Sequence, residues 1–141
     1  MASDGYSPQL IEHFEHPRNA GAMDGADAEA YVTNPVCGDS MRIFLRIADG
    51  RVAAASFLTS GCPAAIGTSS AATELVQGHT LDEAIALSRG DYADAVGGLP
   101  KSKIHCSVLA AAAIRQAIGE WRRGHAPAET TEAKRVGEAA P

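Results

Sequence analysis

The amino-acid sequence predicts an α+β domain in which helices pack on one face of a three-stranded, mainly antiparallel sheet. Two patterns lead to this prediction. Between residues 28 and 58, apolar side chains alternate with others as in half-buried strands, and Asp49 and Gly50 occupy a hairpin position. From residue 63 onward, apolar side chains recur with the helical period. Because the chain has 141 residues, one domain of this kind accounts for nearly all of it.

Three stretches supply the strands. Residues 28–33 form a short first strand, which ends at the Asn-Pro pair that follows it. Residues 41–47 carry an apolar side chain at every second position, which is typical of a strand with one face toward a core. Residues 52–58 return after the turn. Neighbouring strands are therefore expected to pair in antiparallel fashion.

The first two helices are predicted from their N-terminal residues. Ser7 is a good N-cap, and Pro8 after it suits the first helical position of a short helix. Pro63 has the same preference at the start of a helix over residues 64–77. Cys62 therefore falls at or next to a helix N-cap.

Three further helices are predicted in the second half of the chain. A capping box that begins at Thr80 starts a third helix, which we expect Gly90 to close. Another short helix is expected between residues 91 and 98. The longest helix covers about residues 103–123, with an apolar stripe along one side and Cys106 in its first turn.

Composition indicates how much of the chain folds and which classes of protein are excluded. Residues 1–124 are predicted to form the domain, and residues 125–141, which lack an apolar stripe, a flexible tail. A net charge of −5 argues against nucleic-acid binding, because phosphate contacts require a positive face. The chain has neither an apolar run of about 20 residues, as a membrane span requires, nor a secretion signal at its start. We therefore expect a cytoplasmic protein without membrane contacts.

Three cysteines, Cys37, Cys62 and Cys106, are the candidates for chemistry. Each lies at an element boundary among small residues, whereas a cysteine that only filled the core would be expected inside an apolar stripe. Their odd number argues against a disulfide framework. Free cysteines that act as small buried apolar side chains are the alternative at this point.

The cysteines have chemically suitable neighbours. If their three segments converge, Asp39 or His105 completes a ligand set for zinc or for iron–sulfur chemistry. A helix N-terminus lowers the pKa of a thiol, so Cys62 and Cys106 are expected to be nucleophilic. The chain contains no Cys-x-x-Cys pair, so these residues alone do not select a metal.

Four motifs, in this order, resemble the IscU/NifU family of iron–sulfur cluster assembly scaffolds: HPRNAG at 16–21, NPVCGD at 34–39, SGCPAAI at 60–66 and IHCSVLA at 104–110. The resemblance extends from Tyr6 to about Gly124 and implies a SufE/NifU-like fold. It also implies a function: the protein would receive persulfide sulfur and iron, assemble a transient [2Fe–2S] cluster, and transfer it to apo-proteins. Such a scaffold has no independent catalytic turnover.

The resemblance also implies site residues. The cluster or its precursor metal would be bound by five residues: Cys37, Asp39, Cys62, His105 and Cys106. Cys106 would accept the persulfide as a nucleophilic thiolate on an exposed edge, and Asp39 would be the labile ligand that keeps the cluster transferable. The same ligands suit zinc, which is expected as an occupant of the isolated protein.

Partners follow from the family as well. They are a cysteine desulfurase, a ferredoxin-type electron donor, a frataxin-like protein and apo-protein acceptors. Members served by an Hsp70-type chaperone carry Leu-Pro-Pro-Val-Lys, whereas residues 99–103 here read LPKSK, which leaves that partner open. The alternative function is a zinc-binding sulfurtransferase that relays sulfur from a desulfurase, and a structural zinc domain is a third.

Overall fold

The computed structural model describes residues 6–35 and 38–125. Its elements, in chain order, are α1 (Pro8–Glu15), β1 (Ala28–Thr33), β2 (Ser40–Ala48), β3 (Arg51–Ser60), α2 (Pro63–Val76), α3 (Leu81–Ala86), α4 (Arg89–Ala95) and α5 (His105–His125). Within the described residues, no helix is both long and apolar enough to cross a membrane. The tail predicted from residue 125 lies beyond them apart from its first residue, so both the tail and the domain boundary stay predictions.

The three strands form one antiparallel sheet in the order β1-β2-β3, as predicted. Ala30 lies opposite Ile43, which in turn lies opposite Phe57, so apolar side chains of all three strands share one face. Asp49 and Gly50 connect β2 to β3 with φ angles of +54° and +72°. A two-residue hairpin turn of the type that matches strand twist requires left-handed backbone at both positions.

Helices cover that apolar face of the sheet. Tyr31 and Leu58, on the opposite face, are about half exposed, which agrees with the predicted one-sided arrangement. The layer between sheet and helices is here called the large core. Its bulkier buried side chains include Met41, Ile43, Leu45, Val52, Phe57, Tyr92, Ile114 and Ile118.

A second apolar group lies beside the large core and is here called the small cluster. It joins α1, α2, α5 and the end of α4 through six buried residues: Leu10, Ala64, Ala65, Ala71, Val96 and Cys106. A Cβ atom on Gly67 would lie 2.6 Å from Leu10 Cδ1, so this glycine of α2 allows α1 to pack closely. The small residues of α2 therefore serve helix packing.

Several predicted helix boundaries are wrong, among them the start of α4, which lies at Arg89 and not at residue 91. The third helix ends at Ala86, not at Gly90, because Ser88 starts another helix and forms a capping box with Asp91. Gly90 lies inside that helix. The longest helix begins at His105, two residues later than predicted, because a 3-10 turn at Lys101–Lys103 precedes it.

Candidate metal centre

Two of the three cysteines lie at helix N-termini. Cys62 is the N-cap of α2 with Pro63 at the first helical position, and Cys106 lies in the first turn of α5. Both positions confirm the sequence prediction. Cys37 and its neighbour Val36 lie outside the described residues, so a contribution of Cys37 to the site stays a prediction.

A tight turn brings Asp39 to the start of β2. The backbone N–H of Asn34 donates to the carbonyl oxygen of Asp39 at 2.8 Å, and the N–H of Gly38 donates to the carbonyl oxygen of Asn34 at 2.7 Å. Gly38 has a φ of +81°, which glycine adopts without steric cost. These contacts hold the backbone of Asp39 in place directly before the strand.

Asp39, Cys62 and Cys106 converge on one point of the molecule. One ligand atom from each, a carboxylate oxygen and two sulfurs, lie within 4.8 Å of one another. The Cys62 Sγ atom lies 3.8 Å from Asp39 Oδ2. Asp39 and Cys106 are buried, and Cys62 is partly exposed. Three segments that are remote in sequence therefore meet in one small, largely enclosed place.

His105 joins the group through the carboxylate. Its Nε2 atom lies 3.3 Å from Asp39 Oδ2, and its side chain is 26% exposed. The same carboxylate oxygen thus faces both Cys62 and His105. The structure brings together four of the five predicted site residues, all within the described part of the chain.

The protonation of Cys106 differs from the prediction. Burial, together with the nearby negative charges of Cys62 and Asp39, raises the pKa of the Cys106 thiol to about 12. The helix N-terminus favours the thiolate, but removal from water favours the neutral thiol more strongly. The expectation of a nucleophilic Cys106 on an exposed edge is therefore wrong for this conformation.

Lys103 is a neighbour of the site that the sequence did not single out. The charge of the Cys62 thiolate, with which the Lys103 ammonium also hydrogen-bonds, raises the pKa of Lys103. Lys103 therefore places a positive charge beside the site. The only signal in the sequence was the place of Lys103 three residues before Cys106.

Two hydroxyl groups connect the segments on either side of the Cys62 loop. Thr59 Oγ1 lies 2.6 Å from Ser69 Oγ, and Ser69 Oγ donates to the carbonyl oxygen of Ala65 at 2.8 Å. The first contact joins the end of β3 to α2. The loop between them, which carries Cys62, is thereby anchored on both sides.

An open groove of about 380 Å³ adjoins the site on the side of His105. It lies between β1 and α5 and is lined mainly by apolar groups: Val32, Thr33, Asn34, Pro35, His105, Val108, Leu109 and Ala112. Val108 is 42% exposed. The groove leaves room for a bound segment next to His105.

The converging side chains offer a mixed set of ligands. Two sulfurs, a carboxylate and an imidazole are the types of ligand that bind zinc and iron, and thiolates also bind iron–sulfur clusters. The carboxylate oxygen is a harder ligand than the sulfurs and binds soft metal centres less firmly. The site therefore suits a metal or cluster that is held by strong ligands on one side and a weaker one on the other.

Comparison with known proteins adds independent information. Residues 5–127 match the family described as NifU-like N terminal domain. The chain is 49% identical over 118 residues to the iron-sulfur cluster assembly scaffold protein IscU 1 of Archaeoglobus fulgidus, covering 84% of this chain and 77% of that protein. It is 43% identical over 121 residues to the scaffold protein IscU of Escherichia coli, covering 83% of this chain and 94% of that protein.

A solved structure shares the fold. The NifU-like protein (N-terminal) from Brucella abortus matches with a TM-score of 0.69 at 20% identity, covering 83% of this chain and 94% of that one. At this identity the likeness concerns the fold alone. It confirms the predicted α+β arrangement.

Proposed function

Because the chain belongs to the family of NifU-like N-terminal domains, as its motifs predicted, we propose that it is a scaffold for the assembly of iron–sulfur clusters. The observation that supports this most strongly is the convergence of Asp39, Cys62 and Cys106 within 4.8 Å, beside His105. The protein acts as a carrier of its cargo and has no catalytic turnover of its own.

The cargo we propose is a transient [2Fe–2S] cluster, built from iron and from persulfide sulfur that electrons from a ferredoxin-type donor reduce to sulfide. Cys37, Cys62 and Cys106 supply thiolates, and Asp39 or His105 supplies a further ligand. Two thiolates and a carboxylate beside an imidazole provide the strong and weak bonds that a transferable cluster needs. Zinc suits the same ligands and is the expected occupant when iron and sulfur are absent.

Cys106 is the proposed acceptor of sulfur. The outer sulfur of a desulfurase persulfide bonds to the Cys106 thiolate while the sulfur–sulfur bond of the donor breaks, and the donor cysteine leaves as a thiolate. Since Cys106 is fully buried and its pKa is raised to about 12, it must first become exposed and lose its proton. Sulfur delivery therefore requires that the small cluster opens.

The proposed partners are the cysteine desulfurase, a ferredoxin-type electron donor, a frataxin-like protein and apo-protein acceptors. The groove beside His105 supports such contacts, because a segment bound there lies next to the site. Free thiols at Cys62 and Cys106 suit a reducing compartment, which supports the cytoplasm as the place of assembly.

Anaerobic reconstitution tests the proposal. The apo-protein is incubated with ferrous iron, cysteine, a reductant and a cysteine desulfurase, and the visible absorption of a [2Fe–2S] centre is recorded. We expect the wild-type protein to gain this absorption and pass it to an apo-ferredoxin, and Cys62→Ser to gain none. Ser102→Ala, an exposed change in the loop before α5, is the matched control.

The same experiment separates the alternatives. Colourless protein with a persulfide on Cys106, seen by mass spectrometry, would favour the zinc-binding sulfurtransferase. Firmly bound zinc with neither persulfide nor cluster would favour a structural zinc domain. Either result would refute the scaffold function.

A further inference from the structure

Gly61, directly before Cys62, lies against the carboxylate of Asp39. A Cβ atom built on Gly61 would lie 2.6 Å from Asp39 Oδ1 and 2.7 Å from Asp39 Cγ. Both distances are shorter than any real non-bonded contact of a Cβ atom. Residue 61 therefore cannot carry a side chain while Asp39 keeps its present position.

The backbone does not explain this glycine. Several glycines of the chain have a φ in the left-handed region that side chains disfavour, as Gly38 does with +81°, but Gly61 is not among them. An alanine could adopt its conformation. The fold therefore requires glycine at position 61 because glycine has no side chain, which allows Asp39 to approach.

The contact also orients the carboxylate. Asp39 Oδ1 faces Gly61, whereas Oδ2 lies 3.8 Å from Cys62 Sγ and 3.3 Å from His105 Nε2. Asp39 is only 6% exposed, so the surrounding protein atoms restrict the rotation of its carboxylate. Displacing Oδ1 necessarily moves Oδ2, because both belong to one rigid planar group.

We propose that Gly61 is a positioning residue, which seats the Asp39 carboxylate between Cys62 and His105 and so sets the strength of metal binding at this site. The proposal rests on the proposed function in one respect, namely that Asp39 acts as a metal ligand. Gly61 itself contacts no metal. Gly61 allows the loop before α2, which carries Cys62, to pack against Asp39 directly before β2. The two ligands are thereby held at a fixed distance from each other.

A double-mutant cycle on zinc binding tests this role. Gly61→Ala, Asp39→Ala and the double variant are compared with the wild-type protein by competition with a chromophoric chelator. We expect each single change to weaken zinc binding about 10–100-fold, as changes of supporting groups do. In the Asp39→Ala background, Gly61→Ala should change the affinity by less than about twofold, because the displaced group is already gone.

Gly119→Ala is the matched control. A Cβ atom there would lie 3.8 Å from Arg123 Nη1, which is ordinary contact, and Gly119 lies in α5 away from the site. Its zinc affinity should equal that of the wild-type protein. Wild-type zinc affinity in Gly61→Ala, or an equal loss from Gly61→Ala with and without Asp39, would overturn the proposal.

Thermal unfolding of the metal-free proteins separates this proposal from the proposed function. Gly61→Ala should lower the unfolding midpoint, and Asp39→Ala in the same chain should restore most of the loss, since Oδ1 and Cγ are removed. Independent, additive losses would overturn the steric contact. A wild-type protein that binds neither zinc nor a cluster would instead refute the function, while this measurement still decides whether Gly61 seats Asp39.

Discussion

The large core and the small cluster are built from different side chains. The large core contains long and branched residues from the sheet and α5, among them Ile43, Leu45 and Ile114. The small cluster consists of three alanines, a valine and a cysteine around a single leucine, Leu10. Since apolar stabilisation grows with buried area, at about 25 cal/mol per Å², the small cluster contributes much less. We therefore expect the small cluster to open before the large core does.

This difference matters because Cys106 belongs to the small cluster. The sulfur transfer that we propose for this buried thiol needs a local opening that leaves the sheet intact. Regions with little buried apolar area open at a lower free-energy cost than the whole domain unfolds. The division into two apolar groups therefore allows the small cluster, against which Cys62 also packs, to open while the large core and its sheet stay folded.

The largest effect is expected from a cavity in the large core. Ile114→Ala should lower the free energy of unfolding by about 2–5 kcal/mol, because Ile114 is fully buried against the sheet. Urea denaturation of the metal-free protein measures this. Val108→Ala, an exposed position on the same helix, is the control and should change the value by less than about 0.5 kcal/mol. A loss below about 1 kcal/mol for Ile114→Ala would contradict the role assigned to this core.

The next effect concerns the opening of the small cluster. Leu10→Ala should raise the rate of Cys106 alkylation by iodoacetamide at least about tenfold, since each 1.4 kcal/mol removed from the opening cost is worth about that factor. Peptide mass spectrometry follows Cys106 and Cys62 separately. Phe14→Ala, a more exposed change on α1, should leave the rate near that of the wild-type protein. Equal acceleration by both variants would show that Leu10 does not close the cluster.

A substitution at Tyr92 is expected to raise the stability of the protein, by less than Ile114→Ala lowers it. Its hydroxyl is buried in the large core and has no hydrogen-bond partner among the described residues, and burial raises its pKa. Tyr92→Phe removes an unsatisfied polar group and should stabilise the protein by about 1 kcal/mol. Thermal and urea unfolding both report this. A loss of stability of similar size would mean that the hydroxyl makes a contact in solution.

The titration of Cys106 has no effect on stability near neutral pH and acts only at alkaline pH. Its pKa is about 12 in the folded protein against an ordinary value of 9.0, so the folded state holds the proton more tightly. The stabilisation is complete below about pH 9 and is lost as the pH rises from about 9 toward 12. Wild-type protein should therefore lose more stability than Cys106→Ala between about pH 8 and about pH 10. Parallel curves would indicate that the thiol is accessible to water in the folded state.

Local sequence patterns predicted the framework of the site. Alternating apolar positions set the strand register, and Pro63 marked the helix start that makes Cys62 an N-cap. The approach of Asp39, Cys62 and Cys106 was expected from their placement and from the family resemblance, and the structure shows it. The end of the third helix was wrongly predicted at Gly90, because a glycine after a helix and a glycine in the first turn of the next helix look alike in sequence.

Sequence alone therefore determined the elements, their order and the residues with suitable chemistry, because backbone preferences and apolar periodicity act over a few neighbouring positions. Tertiary structure alone decided the burial of Cys106, the proximity of Lys103 to Cys62 and the contact of Gly61 with Asp39. Desolvation and steric contact depend on groups far apart in the chain, and a cysteine at a helix N-terminus can be reactive or inert according to what packs over it.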